Sequence, residues 1–283
     1  MQGICVQRHP TCKKLNKNLI PRYNNFRWTM TVGLLISILL SNTPVWAERP
    51  ACGVNFRTSV NESPPLYFPP EAGGTPRGIT IDIIEELKKR TGCEFTVTSM
   101  NRSRTAHSLQ YSSIDLALLD SRNITYDKYA KFILLRPSAR KFLVNLKNPP
   151  ANPPSVQELM NNPKYKFILQ PGSRIFFKPD EVTKLEKEKR LITMPNLPQC
   201  FKKLKDTENA VFASQGTLIT YYLGDHPEFT LVDDKENVFE SGAYYVPRKG
   251  IQAGIALVEK ALAEIAKDGT LNKIVKKYQR VPK

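Results

Sequence analysis

The residues most able to do chemistry in this chain lie where predicted strands end. Asp120 follows a buried apolar strand and could either meet a ligand amine or cap the next turn. In residues 170–174, the backbone amides near Gly172 and Ser173 offer a cradle for an anion where a strand gives way to a helix. Ligands of open α/β sheets collect at the carboxyl ends of strands, so we expect these segments to line a ligand site.

Catalysis at this site would need a general acid or base whose pKa is poised near neutral pH. Asp120, with Lys128 or Arg102 nearby, is the one candidate that the sequence offers, and no acid–base pair is apparent. The three histidines are scattered, and no Cys-x-x-Cys spacing occurs. Neither a metal site nor a cofactor is therefore expected.

The elements that position these residues are predicted to alternate between strands and helices. Ile79, Ile83, Ile84 and Leu87 fall on one helical face, and Gly92 ends that helix. Strands are predicted at residues 52–57, 94–99 and 115–119, with two further β-rich runs at 131–135 and 141–146, a Pro/Gly-rich loop at 61–76 and helices at 103–111 and 125–129. Such an order gives a parallel sheet with helices on both faces.

A second alternating series follows a stiff boundary, because residues 148–154 contain four prolines. Its predicted elements are strands at 166–170, 191–194, 210–213 and 229–232, helices at 179–189, 197–204 and 216–223, a final strand at 242–246, and a C-terminal helix with Ile255, Val258, Leu262 and Ile265 on one face. A chain of 283 residues can hold one large domain or two ordinary ones, and this pattern favours an α/β fold in two parts.

The N-terminus has the order of a secretory signal. Residues 1–29 carry six Lys or Arg and no acidic residue, an apolar run follows at 32–40, and Ala47 offers a cleavage site. That run is too short to span a bilayer, which needs about 20 apolar residues. We therefore expect residues 1–47 to be a cleaved signal peptide; a retained anchor and a translation start downstream of Met1 are the alternatives.

Charge and cysteine content agree with an exported globular protein. Beyond residue 47 the chain has 36 basic and 26 acidic residues, a net charge of +10. These charges are mixed along predicted helices and accompany no nucleic-acid motif, so no nucleic-acid partner is expected. Cys52, Cys93 and Cys200 remain after removal of the signal.

Two motifs carry a family resemblance. One is Pro-Pro-Leu-Tyr-Phe at residues 64–68 followed by residues 76–87; the other is residues 261–274, with Asp-Gly-Thr-Leu at 268–271. Behind an export signal, they resemble the family 3 extracellular solute-binding proteins. The resemblance implies a two-lobed periplasmic-binding-protein fold, in which each lobe is a mainly parallel sheet flanked by helices and a two-strand hinge joins them. Lobe 1 would comprise residues 48–146 and 238–283, and lobe 2 residues 149–235.

The resemblance also implies ligand contacts in lobe 1. The loop at 64–68 supplies an aromatic wall in the family, which makes Tyr67 and Phe68 candidates, although they could equally pack a Pro-rich loop. Amino-acid receptors of the family have Gly/Ser-x-Thr-x-x-Arg in the segment that here runs from Ser121, with Thr125 in place. Lys128 stands where their arginine is expected, and a lysine cannot make the planar bidentate contact with a carboxylate.

Further candidates come from the same comparison. Arg102 and Arg104 correspond to an aromatic-x-Arg pair in a subgroup of the family, and surface arginines are the alternative interpretation. Ser214 and Gln215 stand at a strand end where amino-acid receptors usually have an Asp that pairs with the ligand amino group. A turn that starts the next helix explains these two residues equally well.

Cys52 and Cys93 are expected to form a disulfide. Each lies at the start of a predicted strand, and the two strands are neighbours in the family's sheet. Parallel neighbours lie about 4.8 Å apart, within the Cα separation that a disulfide tolerates.

The resemblance implies a monomeric periplasmic receptor that closes around a small-molecule ligand and delivers it to an inner-membrane transporter permease, as in ABC transport. A sensory module for a membrane signalling partner and a dehydratase-like enzyme on the same fold are the alternatives. We expect an anionic or zwitterionic solute, because Arg102, Arg104 and Lys128 stand against the single acid Asp120.

Overall fold

The structure is a computed structural model that describes residues 52–72, 74–226 and 228–279. The predicted signal peptide lies outside these residues. Within them, no helix combines the length and apolar character needed to cross a membrane.

Eight α-helices and eight strands make up the described part of the chain. The strands are β1 (Asn55–Asn61), β2 (Glu94–Met100), β3 (Leu116–Ser121), β4 (Lys131–Val144), β5 (Lys166–Leu169), β6 (Leu191–Thr193), β7 (Ala210–Gln215) and β8 (Thr230–Tyr245). The helices are α1 (Ile79–Thr91), α2 (Arg102–Gln110), α3 (Val156–Asn161), α4 (Pro179–Lys187), α5 (Leu197–Lys205), α6 (Gly216–Asp225), α7 (Gln252–Lys267) and α8 (Thr270–Lys277), with 3₁₀ turns at Tyr126–Lys128 and Ser173–Phe176.

All eight strands belong to one mixed sheet in the order β2-β1-β3-β8-β4-β7-β5-β6. Pairing is parallel within β2-β1-β3 at one end and within β7-β5-β6 at the other. The long strands β8 and β4 join these two groups and pair antiparallel with each other and with their outer neighbours. The parallel groups and the two connecting strands give the two-lobed fold predicted from the sequence.

The prediction that residues 131–135 and 141–146 form separate strands is wrong, and so is the separation of 229–232 from 242–246. Each pair is one continuous strand, β4 and β8 respectively. The middle of β4 is Arg-Pro-Ser-Ala at 136–139, and the middle of β8 is mostly polar, because these stretches lie between two apolar cores. Pro137 fits within β4 because a register irregularity between Leu134 and Arg136 interrupts the ladder beside it.

The first lobe is built from both ends of the described chain. Its main core includes Phe56, Ile83 and Leu118 from the N-terminal half and Leu262 and Ile265 from α7. The predicted apolar face of the last long helix is therefore buried against the first strands. Burial of this stripe, rather than helix propensity, holds α7 in place.

The second lobe packs apolar side chains on both faces of β7-β5-β6. Phe142, Phe167 and Leu185 belong to the core on one face, and Ile168 and Leu204 belong to the core on the other. Since β4 carries Ile133 in the first-lobe core and Phe142 in the second, it connects the two lobes directly.

The first lobe is also fixed by a disulfide and by a buried acid. Cys52 and Cys93 are bonded with their Cα atoms 4.8 Å apart, which confirms the predicted pairing, and Cys200 is free and buried. Asp115 is fully buried and accepts bonds from the Arg57 Nη2 at 2.7 Å and the Arg248 Nε at 2.5 Å. Burial alone raises the pKa of Asp115, but these bonds outweigh it and hold the pKa well below its usual range.

Candidate functional site

The loop before α1 brings one of its two aromatic residues to the second lobe. Gly78 permits the turn, since its φ is 139° and a Cβ there would lie 2.4 Å from the carbonyl oxygen of Leu66. Tyr67 is buried in the first-lobe core, whereas Phe68 is half-buried. The ring centroid of Phe68 lies 6.0 Å from that of Tyr221 on α6 in the second lobe. Phe68 thus provides an aromatic contact between the lobes.

A buried ion pair lies where the first lobe faces the second. The Asn101 side chain accepts from the Arg104 amide at 2.9 Å and starts α2, so that Arg102 is the first residue of the helix. The Arg102 Nη1 donates to the Asp120 Oδ1 at 2.5 Å, and each side chain is only 9% exposed. The same oxygen accepts from the Ser121 amide at 2.8 Å. The Asp120 carboxylate is therefore held by groups of its own lobe.

The second lobe meets this pair through the turn between β5 and the 3₁₀ segment. Gly172 has a φ of 83°, and a Cβ there would lie 2.9 Å from the Arg102 Cδ, so the arginine stem packs on the glycine. The Arg102 guanidinium carbon lies 5.8 Å from the ring centroid of Phe176. Ser173 is buried, and its amide donates to the Gln170 carbonyl at 3.0 Å, which occupies one donor of the expected anion cradle.

Five of the predicted site residues therefore form one contiguous cluster, the interlobe cluster: Arg102, Asp120, Ser121, Gly172 and Ser173. The Arg102 Nε and the Ser121 Oγ are buried, and neither has a hydrogen-bond partner among the residues that the structure describes. A buried donor without a partner costs about 1–3 kcal/mol. The arrangement favours an acceptor-bearing molecule between the lobes.

Three other predicted site residues lie outside this cluster. Arg104, Thr125 and Lys128 are exposed. Arg104 borders a surface depression of about 470 Å³ on α2. The Thr125 amide donates to the Asn123 side chain at 3.0 Å, and Lys128 ends the 3₁₀ turn.

Ser214 and Gln215 are buried at the end of β7, opposite Lys141 and Arg140 of β4. Gln215 is the residue before α6, as the turn interpretation predicts.

Arg136 of β4 is a candidate that the sequence analysis missed. Its Nη2 donates to the Thr217 hydroxyl in the first turn of α6, while its buried Nε has no partner. Burial lowers the pKa of Arg136, and no carboxylate in the described part of the chain counteracts this effect. The available signal in the sequence was a cation next to Pro137, but this segment lies between two predicted strands and resembles a surface loop.

Arg140, four residues further along β4, was also missed and fixes the second lobe to the connecting strands. It is fully buried and donates to the Asp234 Oδ2 at 2.7 Å, the Glu181 Oε2 at 2.6 Å and the Phe176 carbonyl at 2.9 Å. Burial raises the pKa of Asp234, but bonds from Asn237 and Arg140 outweigh it and lower the pKa overall. Two carboxylates face the one guanidinium in this network, so it offers no free positive charge to a ligand.

The chemistry available at the interlobe cluster is that of hydrogen bonding and ion pairing. No group of three or more His, Cys, Asp or Glu residues in the described ranges could hold a metal ion. Burial raises the pKa of the Cys200 thiol to about 12, so this cysteine stays protonated inside the second lobe.

Comparison with known proteins relates this geometry to a family. The structure is similar to a Pleurobrachia bachei iGluR3 ligand-binding domain in complex with glycine (TM-score 0.66, 13% identity, covering 80% of this chain and 96% of that one). It is similar to an ancestral cationic amino acid solute-binding protein, with a TM-score of 0.60 and 19% identity over 80% of this chain and 96% of that one. It is also similar to an ancestral arginine-binding protein bound to glutamine, with a TM-score of 0.61 and 21% identity over 79% of this chain and 97% of that one. No curated protein matches the chain in sequence. The family model for bacterial extracellular solute-binding proteins, family 3, matches residues 57–281, and the chain belongs to that family.

Proposed function

We propose that this protein is a periplasmic receptor that closes around a small polar solute, anionic or zwitterionic, and delivers it to an inner-membrane transporter. The observation that carries the proposal is the interlobe cluster, in which Arg102 of one lobe packs on Gly172 of the other. A solute bound there would touch both lobes, so binding would stabilise their closure. The receptor would be a monomer with no chemistry of its own.

The unpartnered donors support a ligand that carries oxygen acceptors. The Arg102 Nε and the Ser121 Oγ are buried in the same cluster. Because Asp120 already neutralises Arg102, a solute acceptor there would add hydrogen bonds without stranding a charge. Glycine and glutamine, which are bound in two of the similar structures, are zwitterions that carry such acceptors.

We also propose that the protein is secreted and that the first of its two lobes is discontinuous. The family is extracellular and the chain has a disulfide, which supports secretion after removal of residues 1–47. We take lobe 1 as residues 48–146 with 238–283, and lobe 2 as residues 149–235.

A thermal-shift screen of the purified protein against amino acids, organic acids, polyamines and short peptides tests the proposal. A solute at 100 times its Kd should stabilise the fold by about 2.7 kcal/mol. Ser121→Ala should weaken binding of that solute about 2- to 10-fold, since it removes one hydrogen bond. Ser103→Ala, at an exposed position of α2, is the matched control and should leave affinity unchanged. A screen in which only polyamines bind, or in which nothing binds, would refute the proposal.

A further inference from the structure

Arg136 is half-buried with a buried Nε, and it differs from the buried arginines of the described chain in having no carboxylate partner. Arg102 pairs with Asp120, Arg140 with Asp234, and Arg190 with Glu188 at 2.7 Å. Arg136 has only the hydroxyl of Thr217. A cation that is partly removed from water without a counter-charge is destabilising, so natural proteins pair such groups or use them to bind an anion.

The surroundings of Arg136 add positive potential and hydrogen-bond donors. Thr217 lies in the first turn of α6, where backbone amides lack partners within the helix and the helix dipole is positive. That turn contains no acidic residue. The Lys141 side chain also approaches the helix start, since a Cβ on Gly216 would lie 3.1 Å from its Cε. Asp233 neutralises Lys141 at 2.7 Å, which leaves Arg136 as the uncompensated charge.

The sheet register relates Arg136 to the interlobe cluster. Ser121 of β3 and Arg136 of β4 both stand opposite Ser241 of β8. Residues directly opposite in neighbouring strands project to the same face, and each strand spacing is about 4.8 Å. The unpartnered Ser121 Oγ and the unpartnered Arg136 Nε therefore lie in one row of the sheet, about 10 Å apart at their Cα atoms. One small solute can reach both donors.

We propose that Arg136, supported by Thr217 and the start of α6, binds an oxyanion of the solute, which is a carboxylate, phosphonate or sulfonate group, and thereby selects acidic solutes over their neutral analogues. This inference rests on the proposed function and names the residue that sets its specificity. The Nε–H and a neighbouring Nη–H form the planar fork that suits two oxygens of one anion.

The test measures affinity for matched acid and amide pairs by calorimetry. The probes are aspartate with asparagine, glutamate with glutamine, and succinate with succinamate, together with a phosphonate and a sulfonate analogue. The wild-type protein should prefer the acid of at least one pair by about 10-fold or more. Arg136→Met should weaken binding of that acid about 10- to 100-fold and abolish the preference. Arg136→Lys, which keeps the charge but not the fork, should give an intermediate loss.

Two measurements separate binding from a structural role. Lys202→Met removes one positive charge from an exposed position of α5, outside every candidate site, and should leave affinity and preference unchanged. Without solute, Arg136→Met should melt at the wild-type temperature or above, because it removes a partly buried charge that has no carboxylate partner. A lower melting temperature together with retained acid preference would assign Arg136 a structural role and overturn the inference.

Inorganic sulfate and phosphate, added at constant ionic strength, distinguish failure of this inference from failure of the proposed function. An organic solute that binds wild type and Arg136→Met equally would overturn the inference and leave the receptor function in place. Stabilisation by sulfate or phosphate that depends on Arg136, with no organic solute bound, would support the anion site and refute the receptor. Neither effect in the wild-type protein would refute both.

Discussion

Asp120→Asn should destabilise the protein markedly, because it removes the counter-charge of a buried arginine while keeping the side-chain shape. Asp120 and Arg102 are each 9% exposed, and their polar atoms lie 2.5 Å apart. Removing one partner of a buried pair costs about 3–5 kcal/mol. We expect about 3 kcal/mol, at the lower end, because the asparagine oxygen can still accept a bond from Arg102.

Urea unfolding followed by circular dichroism measures this loss, and thermal melting gives an independent value. A chain of this size loses about 2–4 °C of melting temperature per kcal/mol, so the midpoint should fall by about 6–12 °C. The double variant with Arg102→Met removes both charges and should recover much of the loss. A double-mutant cycle should give a coupling energy of about 1.5–3 kcal/mol.

Glu186→Gln is the matched control, because Glu186 pairs with Arg174 at a similar 2.6 Å but with side chains 46% and 58% exposed. Exposed pairs contribute about 0–1 kcal/mol, so this variant should be close to wild type. Two results together would refute the view that Asp120 neutralises a desolvated Arg102. Asp120→Asn would lose no more unfolding free energy than Glu186→Gln, and the coupling energy between Asp120 and Arg102 would be below about 0.5 kcal/mol.

Two further predictions concern the first lobe and its cysteines. After removal of residues 1–47, alkylation of the denatured protein without reductant should label Cys200 alone, and three labelled cysteines would contradict the disulfide. Because the bridge spans 41 residues, its reduction should lower the free energy of unfolding in urea by about 4 kcal/mol. Because the pKa of folded Asp115 lies below its unfolded value of about 3.9, its bonds stabilise the fold above that pH, and this stabilisation is lost as pH falls further. Asp115→Asn should therefore lower the free energy of unfolding by about 1–2 kcal/mol at pH 7, because its two arginine partners are half-exposed. It should also reduce the loss of stability that the wild-type protein shows below about pH 4. An unchanged loss at acid pH would contradict the role of Asp115.

The sequence predicted those elements that local apolar periodicity specifies. Helix α1 ends at Gly92, which adopts the left-handed conformation with a φ of 68°, and basic residues fill its last turn. The prediction failed where an element has no periodic apolar face. Helix α3, a single short segment after the proline-rich boundary, was missed, although Ser155 caps it by accepting from the Glu158 amide at 3.0 Å.

Long-range pairing explains most of what the sequence did not predict at the site. Arg140 is 41 residues from Glu181 and 94 from Asp234, and nothing local in the sequence joins them. Arg102 and Asp120 were both predicted as ligand contacts, but their mutual ion pair depends on how α2 packs beside β3. The composition of a segment gives the charges near a site, and only the fold decides which of them neutralise each other.

The expected preference for an anion illustrates this difference. In the sequence, Arg102, Arg104 and Lys128 are three cations set against the single acid Asp120. In the structure Arg102 is neutralised and the other two are exposed, so that count no longer supports the preference. Among the described residues, Arg136 is a half-buried cation without a carboxylate partner, in a strand whose residues enter the cores of both lobes. Its guanidinium reaches α6 of the second lobe. An anion held there would interact with the connecting strand and the second lobe at once, which links solute selection to lobe closure in a single side chain.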